Sequence, residues 1–195
     1  MIAGLAAKMS AFFVSKGTIK KEDAQAYSYG FELLFSTVIN LALIFVGAII
    51  MGIFPHTLLY LAGLIPLRLT AGGYHAKHHW SCITIACVAY VLSAFPLRYL
   101  PADAHILYNL FCCIFVSMTV FVLSPVEAPN KPLADKKRDS VRNWSIGIVT
   151  VDLFICLVPV FTQLQEITLY STYYITGAVL AGVSLIAARK HSQAT

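Results

Sequence analysis

Three histidines and a cysteine crowd into eight residues of the stretch RLTAGGYHAKHHWSC, positions 68–82: His75, His78, His79 and Cys82. A thiol beside an imidazole can exist as a thiolate–imidazolium pair, and the thiolate is the attacking species. The amide bonds of a peptide are a natural target for it. A second chemistry is open to the same residues. His75, His79 and Cys82 recur at i, i+4 and i+7, so on a helix they share a face, and all are zinc-binding types. H-x2-H-H-x2-C is not a strong zinc pattern by itself. The plainest alternative is a set of polar residues resting in the interfacial layer between two apolar segments.

Spacing discriminates among the imidazoles. On a straight helix Cys82 is seven residues from His75, about 10 Å along the axis. Hydrogen-bond reach is roughly 2.6–3.2 Å. His78 and His79, four and three residues from Cys82, are the nearer partners on a helix. If His75 is the base, the chain bends between the two. Gly72 and Gly73 allow a loop there and a close backbone approach. A helix starting near Lys77 then carries Cys82 in its first turns, where the partial positive helix end favours a thiolate.

The elements that must position these side chains are apolar. The chain has 195 residues, 58% hydrophobic and 12% charged, where soluble domains average roughly 25% charged. Mean hydropathy is +0.76. The apolar residues form runs at 31–54, 57–67, 80–97, 105–123, 144–161 and 167–188. A spanning helix needs about 20 such residues. The sequence therefore predicts an all-α, polytopic membrane bundle of about six transmembrane helices. Residues 31–67 are too long for one span, and Gly52 and Pro55 offer a turn. The short 57–67 run spans only if it begins near Phe54, and Arg68 must then snorkel or sit in a polar pocket. No repeat or low-complexity tract divides residues 1–195, which read as one membrane domain.

Charge sets the expected orientation. With both termini cytoplasmic, every one of the 14 Lys and Arg residues except Arg98 falls on the inner side, as the positive-inside rule requires. The net charge of +5 is thus a one-sided membrane signature, and no nucleic-acid motif accompanies it. Residues 1–26 lack a secretory signal pattern. Instead Ile2, Leu5, Met9, Phe12 and Phe13 recur at helical spacing, as in an amphipathic helix on the inner membrane face or one packed against the bundle. The five cysteines show no zinc-ribbon spacing. All but Cys82 read as small buried hydrophobes. On the cytoplasmic side Cys82 stays a free thiol.

The longest polar connection, 124–143, is SPVEAPNKPLADKKRDSVRN. Its prolines resist helix up to Pro132. Beyond them it turns basic, through Lys131, Lys136, Lys137 and Arg138. An ordinary inner loop has this charge, and so does a cradle for an acidic peptide.

RLTAGGYHAKHHWSC resembles the signature of the accessory gene regulator protein B (AgrB) family, and SPVEAPNKPL resembles its second motif. Size, six apolar segments and the basic loop agree over most of the chain. The resemblance implies a membrane cysteine endopeptidase that processes quorum-sensing peptide precursors and needs no cofactor or metal. It places the catalytic base on His75 and the nucleophile on Cys82, framed by Arg68, Gly72 and Gly73. Cleavage passes through an acyl-enzyme thioester and ends in a thiolactone or lactone ring. The implied partners are an AgrD-like precursor with an amphipathic leader and acidic tail, membrane lipid and a second copy of the chain in a homodimer. A third catalytic residue is not evident; Glu32 and Asp152 are of a type to orient His75, but nothing in the sequence places them. The competing class is a small transporter or metal-binding membrane protein using the 75–82 cluster. It expects facing polar residues across several spans, and the sequence offers chiefly Asp152.

Overall fold

A computed structural model describes residues 2–73, 79–126 and 135–194. Among these the chain forms seven α-helices and no strand: α1 (Ile2–Ser15), α2 (Ala24–Met51), α3 (Phe54–Ala71), α4 (His79–Ala94), α5 (Ala104–Leu123), α6 (Asp135–Thr162) and α7 (Gln165–Ala194). Short 3-10 turns at Lys21–Asp23 and Phe95–Tyr99 lead into α2 and out of α4.

Local chemistry sets the helix ends. Gly52 closes α2 in the left-handed region at φ 69°, with its N–H returned to the carbonyls of Ala48 and Ile49, a close that glycine makes without a Cβ penalty. Pro55 then enters the first turn of α3, where its missing N–H is harmless. Ser124, held extended before Pro125, ends α5. Helix thus ends where the prolines begin; residues 127–134, the rest of the expected break, lie outside the described residues.

Five helical segments are long and apolar enough to cross a membrane: Lys21–Met51, Trp80–Tyr99, Ala104–Leu123, Lys137–Thr162 and Gln165–Lys190. Helix α3 is not among them, although its 18 residues extend about 27 Å at 1.5 Å per residue. It carries His56, Thr57, Arg68 and two prolines, and this polarity is tolerable because α7 covers it. The two helices run side by side in the same direction. Gly63 lies against the Tyr174 carbonyl and Gly177 against the Tyr60 carbonyl. Small residues at such a crossing let two backbones approach closely, which replaces the hydrophobic drive that lipid cannot supply.

Polar contacts tie the remaining helices to this pair. On α5, His105, Tyr108 and Asn109 meet Thr172, Thr176 and Ser171 of α7 at 3.1, 2.9 and 2.9 Å. Tyr174 of α7 donates to Asp152 of α6 at 2.8 Å. On α3, Thr57 bonds Tyr90 of α4, and Tyr60 bonds Ser93 at 2.9 Å. The Cys87 thiol of α4 reaches Asn40 of α2 at 3.6 Å. Around this centre the outward faces are apolar and exposed, as lipid contact requires.

Helix α1 lies along α2. Ser10 donates to the Ala24 carbonyl at 2.6 Å, and the Phe13 and Phe31 rings stack at 5.7 Å. The buried residues of α1 are Ile2, Ala6 and Ser10, whereas Leu5, Met9 and Phe12 stay exposed. The apolar spacing read from the sequence thus divides: Ile2 and Phe13 face α2, and Leu5, Met9 and Phe12 form a free apolar strip.

Candidate active site

The two sequence motifs meet at one end of the bundle. Helix α3 ends at Ala71, and Gly72 follows at φ 93° and ψ −164°, a region open essentially to glycine alone. That conformation turns the chain against the extended segment of residues 124–126 leaving α5. The Val126 N–H donates to the Ala71 carbonyl at 3.0 Å. A Cβ on Gly72 would come within 2.6 Å of the Val126 carbonyl oxygen. Gly73 turns the other way, toward α7: its Cβ would meet the Ser184 hydroxyl at 2.6 Å and the Arg68 side chain at 3.7 Å.

Arg68 has the polar setting that the sequence demands of a cation at a membrane edge. Its Nη1 donates to Ser184 Oγ at 3.1 Å, linking α3 to α7 across 116 residues. Ser184 therefore braces both Arg68 and Gly73, a role with no sequence signal beyond a small polar residue in an apolar helix.

Cys82 is the fourth residue of α4, in its first turn, and its thiol is free and half-buried. Helix is described from His79 onward; the expected start near Lys77 lies outside the described residues. Residues 74–78, with His75 and His78, lie outside the described residues, as does Lys131; nothing is described of the His79 and Lys136 side chains. Lys137 and Arg138 are exposed in the first turn of α6.

Of the two acids weighed as orienting groups, Asp152 lies away from this cluster. Asp152 is fully buried and accepts from Tyr174. It is 17 residues into α6, about 25 Å along the helix from its start. Glu32 is half-buried on α2.

Fold and junction together define a multi-pass, α-helical membrane protein whose two polar motifs are clasped at one end of the bundle. The model of the family Accessory gene regulator B matches residues 6–187, and the chain belongs to that family, a family of quorum-sensing accessory proteins associated with peptide processing. An AgrB-like protein of Listeria monocytogenes serotype 4a (strain HCC23) is 23% identical over 175 residues, covering 87% of this chain and 84% of its own. An AgrB-like protein of Clostridium acetobutylicum is 28% identical over 118 residues, covering 60% and 56%. Protein FsrB of Enterococcus faecalis (strain OG1RF) is 23% identical over 163 residues, covering 84% and 64%. No solved structure matches the chain.

Proposed function

We propose that the chain is a membrane-embedded cysteine endopeptidase that removes the C-terminal tail of a quorum-sensing precursor peptide and passes the remainder to ring closure. The supporting observation is the clasp between the two motifs, Val126 N–H to Ala71 carbonyl at 3.0 Å, with the free thiol of Cys82 in the first turn of the next helix.

In this reading His75 removes the Cys82 proton, and the sulfur attacks the carbonyl carbon at the end of the future signal. The C–N bond breaks, the imidazolium protonates the leaving amine, and an acyl-enzyme thioester remains. A Cys or Ser within the bound peptide then attacks the thioester. The ring ester or thioester forms as the C–S bond to Cys82 breaks, and the proton returns to that sulfur through His75. Thiol exchange on a thioester is close to energy-neutral, so water must be kept out until the ring closes. A half-buried thiol at a bundle edge suits that need. Arg68, Gly72 and Gly73 frame the loop rather than react. The basic segment of Lys131, Lys136, Lys137 and Arg138 attracts the acidic tail of the precursor.

The deciding experiment co-expresses the chain with its precursor and follows products by mass spectrometry. Cys82→Ser and His75→Ala are each expected to abolish the truncated and cyclised species, with no metal bound to the purified protein. Intact processing by Cys82→Ser overturns the reading. A stoichiometric metal lost in His75→Ala selects the metal-binding alternative instead.

A further inference from the structure

The end of the bundle opposite Gly72 and Gly73 holds a pocket of about 340 Å³ that the proposed cleavage does not use. Its size lies within the roughly 300–1,000 Å³ of small-ligand sites. Three helix starts converge on it: Ile53 precedes α3, His105 is the second residue of α5, and Gln165 is the first of α7. Each start brings partial positive charge to the rim of the space. Arg98 adds a full charge on the rim. Its Nη1 donates to the Met51 carbonyl at 3.1 Å, and its guanidinium lies 5.8 and 5.5 Å from the Phe95 and Tyr99 ring centres. Its position is thus set while other N–H donors remain to be used. His56 also lines the pocket. Its ring packs between Tyr170 and Tyr173, and its buried Nδ1 has no hydrogen-bond partner among the described residues. The rest of the wall mixes Ile53, Leu97, Leu100 and Leu169 with His105, Gln165 and Tyr173, and among the described residues no carboxylate lines it.

Helix-start charge, a fixed cation and the aliphatic side chains of the wall select an anion that carries a greasy body. Free phosphate meets the first two requirements only. The pocket's level in the bundle names the source. Tyr99 and Phe161, 69% and 83% exposed, stand at this same end, as aromatic residues do at the membrane interface. Phospholipid phosphates lie at that depth. Arg98 is also the one cation that charge sorting leaves at this end of the bundle. We infer that the pocket is a binding site for the phosphate group of an interfacial phospholipid, held by Arg98 and His56.

Native mass spectrometry of the full-length chain tests this. The protein is offered phosphatidylglycerol and a glucosyl-diacylglycerol with the same acyl chains, which differ in the phosphate. Wild type is expected to retain the phosphatidylglycerol at least about tenfold better, the scale of charge-assisted hydrogen bonds. Arg98→Gln should erase that preference and Arg98→Lys keep most of it. Ala102→Glu, which sets a carboxylate on the rim without touching either donor, should erase it too. Unfolding of Arg98→Gln would leave Ala102→Glu to decide. Equal retention of the two lipids by wild type, or a preference surviving both Arg98→Gln and Ala102→Glu, overturns the inference. So does full displacement of the lipid by millimolar inorganic phosphate, or by a peptide carboxylate at similar concentration.

Discussion

Gly72 and Gly73 are neighbours, yet they exclude a side chain for different reasons. At Gly72 the backbone conformation itself is glycine's, and the obstacle is the carbonyl of Val126, a main-chain group whose own N–H is bonded to Ala71. At Gly73 the obstacle is the Ser184 hydroxyl, which can rotate away. Gly72→Ala should therefore be the harsher change, with strain on the order of 1–3 kcal/mol, read as a lower melting temperature in detergent and loss of processing. Gly73→Ala should be milder, and adding Ser184→Ala should recover part of its loss, because the two sites share one contact. Alone, Ser184→Ala removes a hydrogen bond to a charged partner, worth about 1.5–3 kcal/mol, and is expected to slow precursor cleavage about tenfold or more. Additive losses in the double variant would show that Ser184 does not crowd Gly73. Both glycines and Arg68 were legible in the sequence because they sit in one quoted motif. Ser184 was not, since its meaning arises only when α7 is laid beside α3.

At the scale of the element, α3 shows why hydropathy alone undercounts spans. A helix facing lipid must be apolar, but one wrapped by its neighbours can carry Arg68, Thr57 and His56 if each meets a partner or a polar space. The sequence located its start near Phe54 and the turn at Gly52 and Pro55, since glycine and proline act locally. It could not show that Gly63 and Gly177 face each other, because neither residue's register on its helix is visible until both are built. Gly177→Leu is expected to be severe. Its side chain would press on the Tyr60 carbonyl and the Leu64 N–H, main-chain groups that cannot move aside, and overpacking of this kind costs about 1–3 kcal/mol or more. Gly147, with open space around it, is the matched control: Gly147→Leu should melt close to wild type. Helix α6 carries a separate test. Reversing Lys136, Lys137 and Arg138 to glutamate should weaken precursor processing, more so at low salt than at high, because exposed charges are screened. Cleavage that stays unchanged removes the basic loop from substrate binding.

For the molecule as a whole, the question is how many helices cross and which way. The sequence predicts six crossings with both termini inside; among the described residues five segments pass on length and apolarity. The packing of α3 bears on the sixth. The contacts of α3 with α7 climb together, from His56 beside Tyr170 and Tyr173, through Tyr60 at Gly177, to Arg68 at Ser184. Over that stretch α7 advances 14 residues and α3 advances 12, or about 21 and 18 Å of matched rise. A helix that keeps step with a spanning helix spans beside it. Trp80 on α4 and Trp144, the tenth residue of α6, are 62% and 68% exposed and mark one interface; Tyr99 and Phe161 mark the other. Trp144 and Phe161 are 17 positions apart, about 26 Å of helix, close to the roughly 30 Å of a hydrocarbon core. The expectation of an even count rests on this match of α3 to α7, beside the five segments that qualify among the described residues. Phosphatase inserted after residue 102 should be active outside the cell, and the same enzyme fused at the C-terminus should be silent. A green fluorescent reporter at that terminus should light up. Phosphatase activity at the C-terminus would mean an odd number of crossings. It would place the Arg98 loop and the two ends of the chain in an arrangement that no sorting of the 14 basic residues allows.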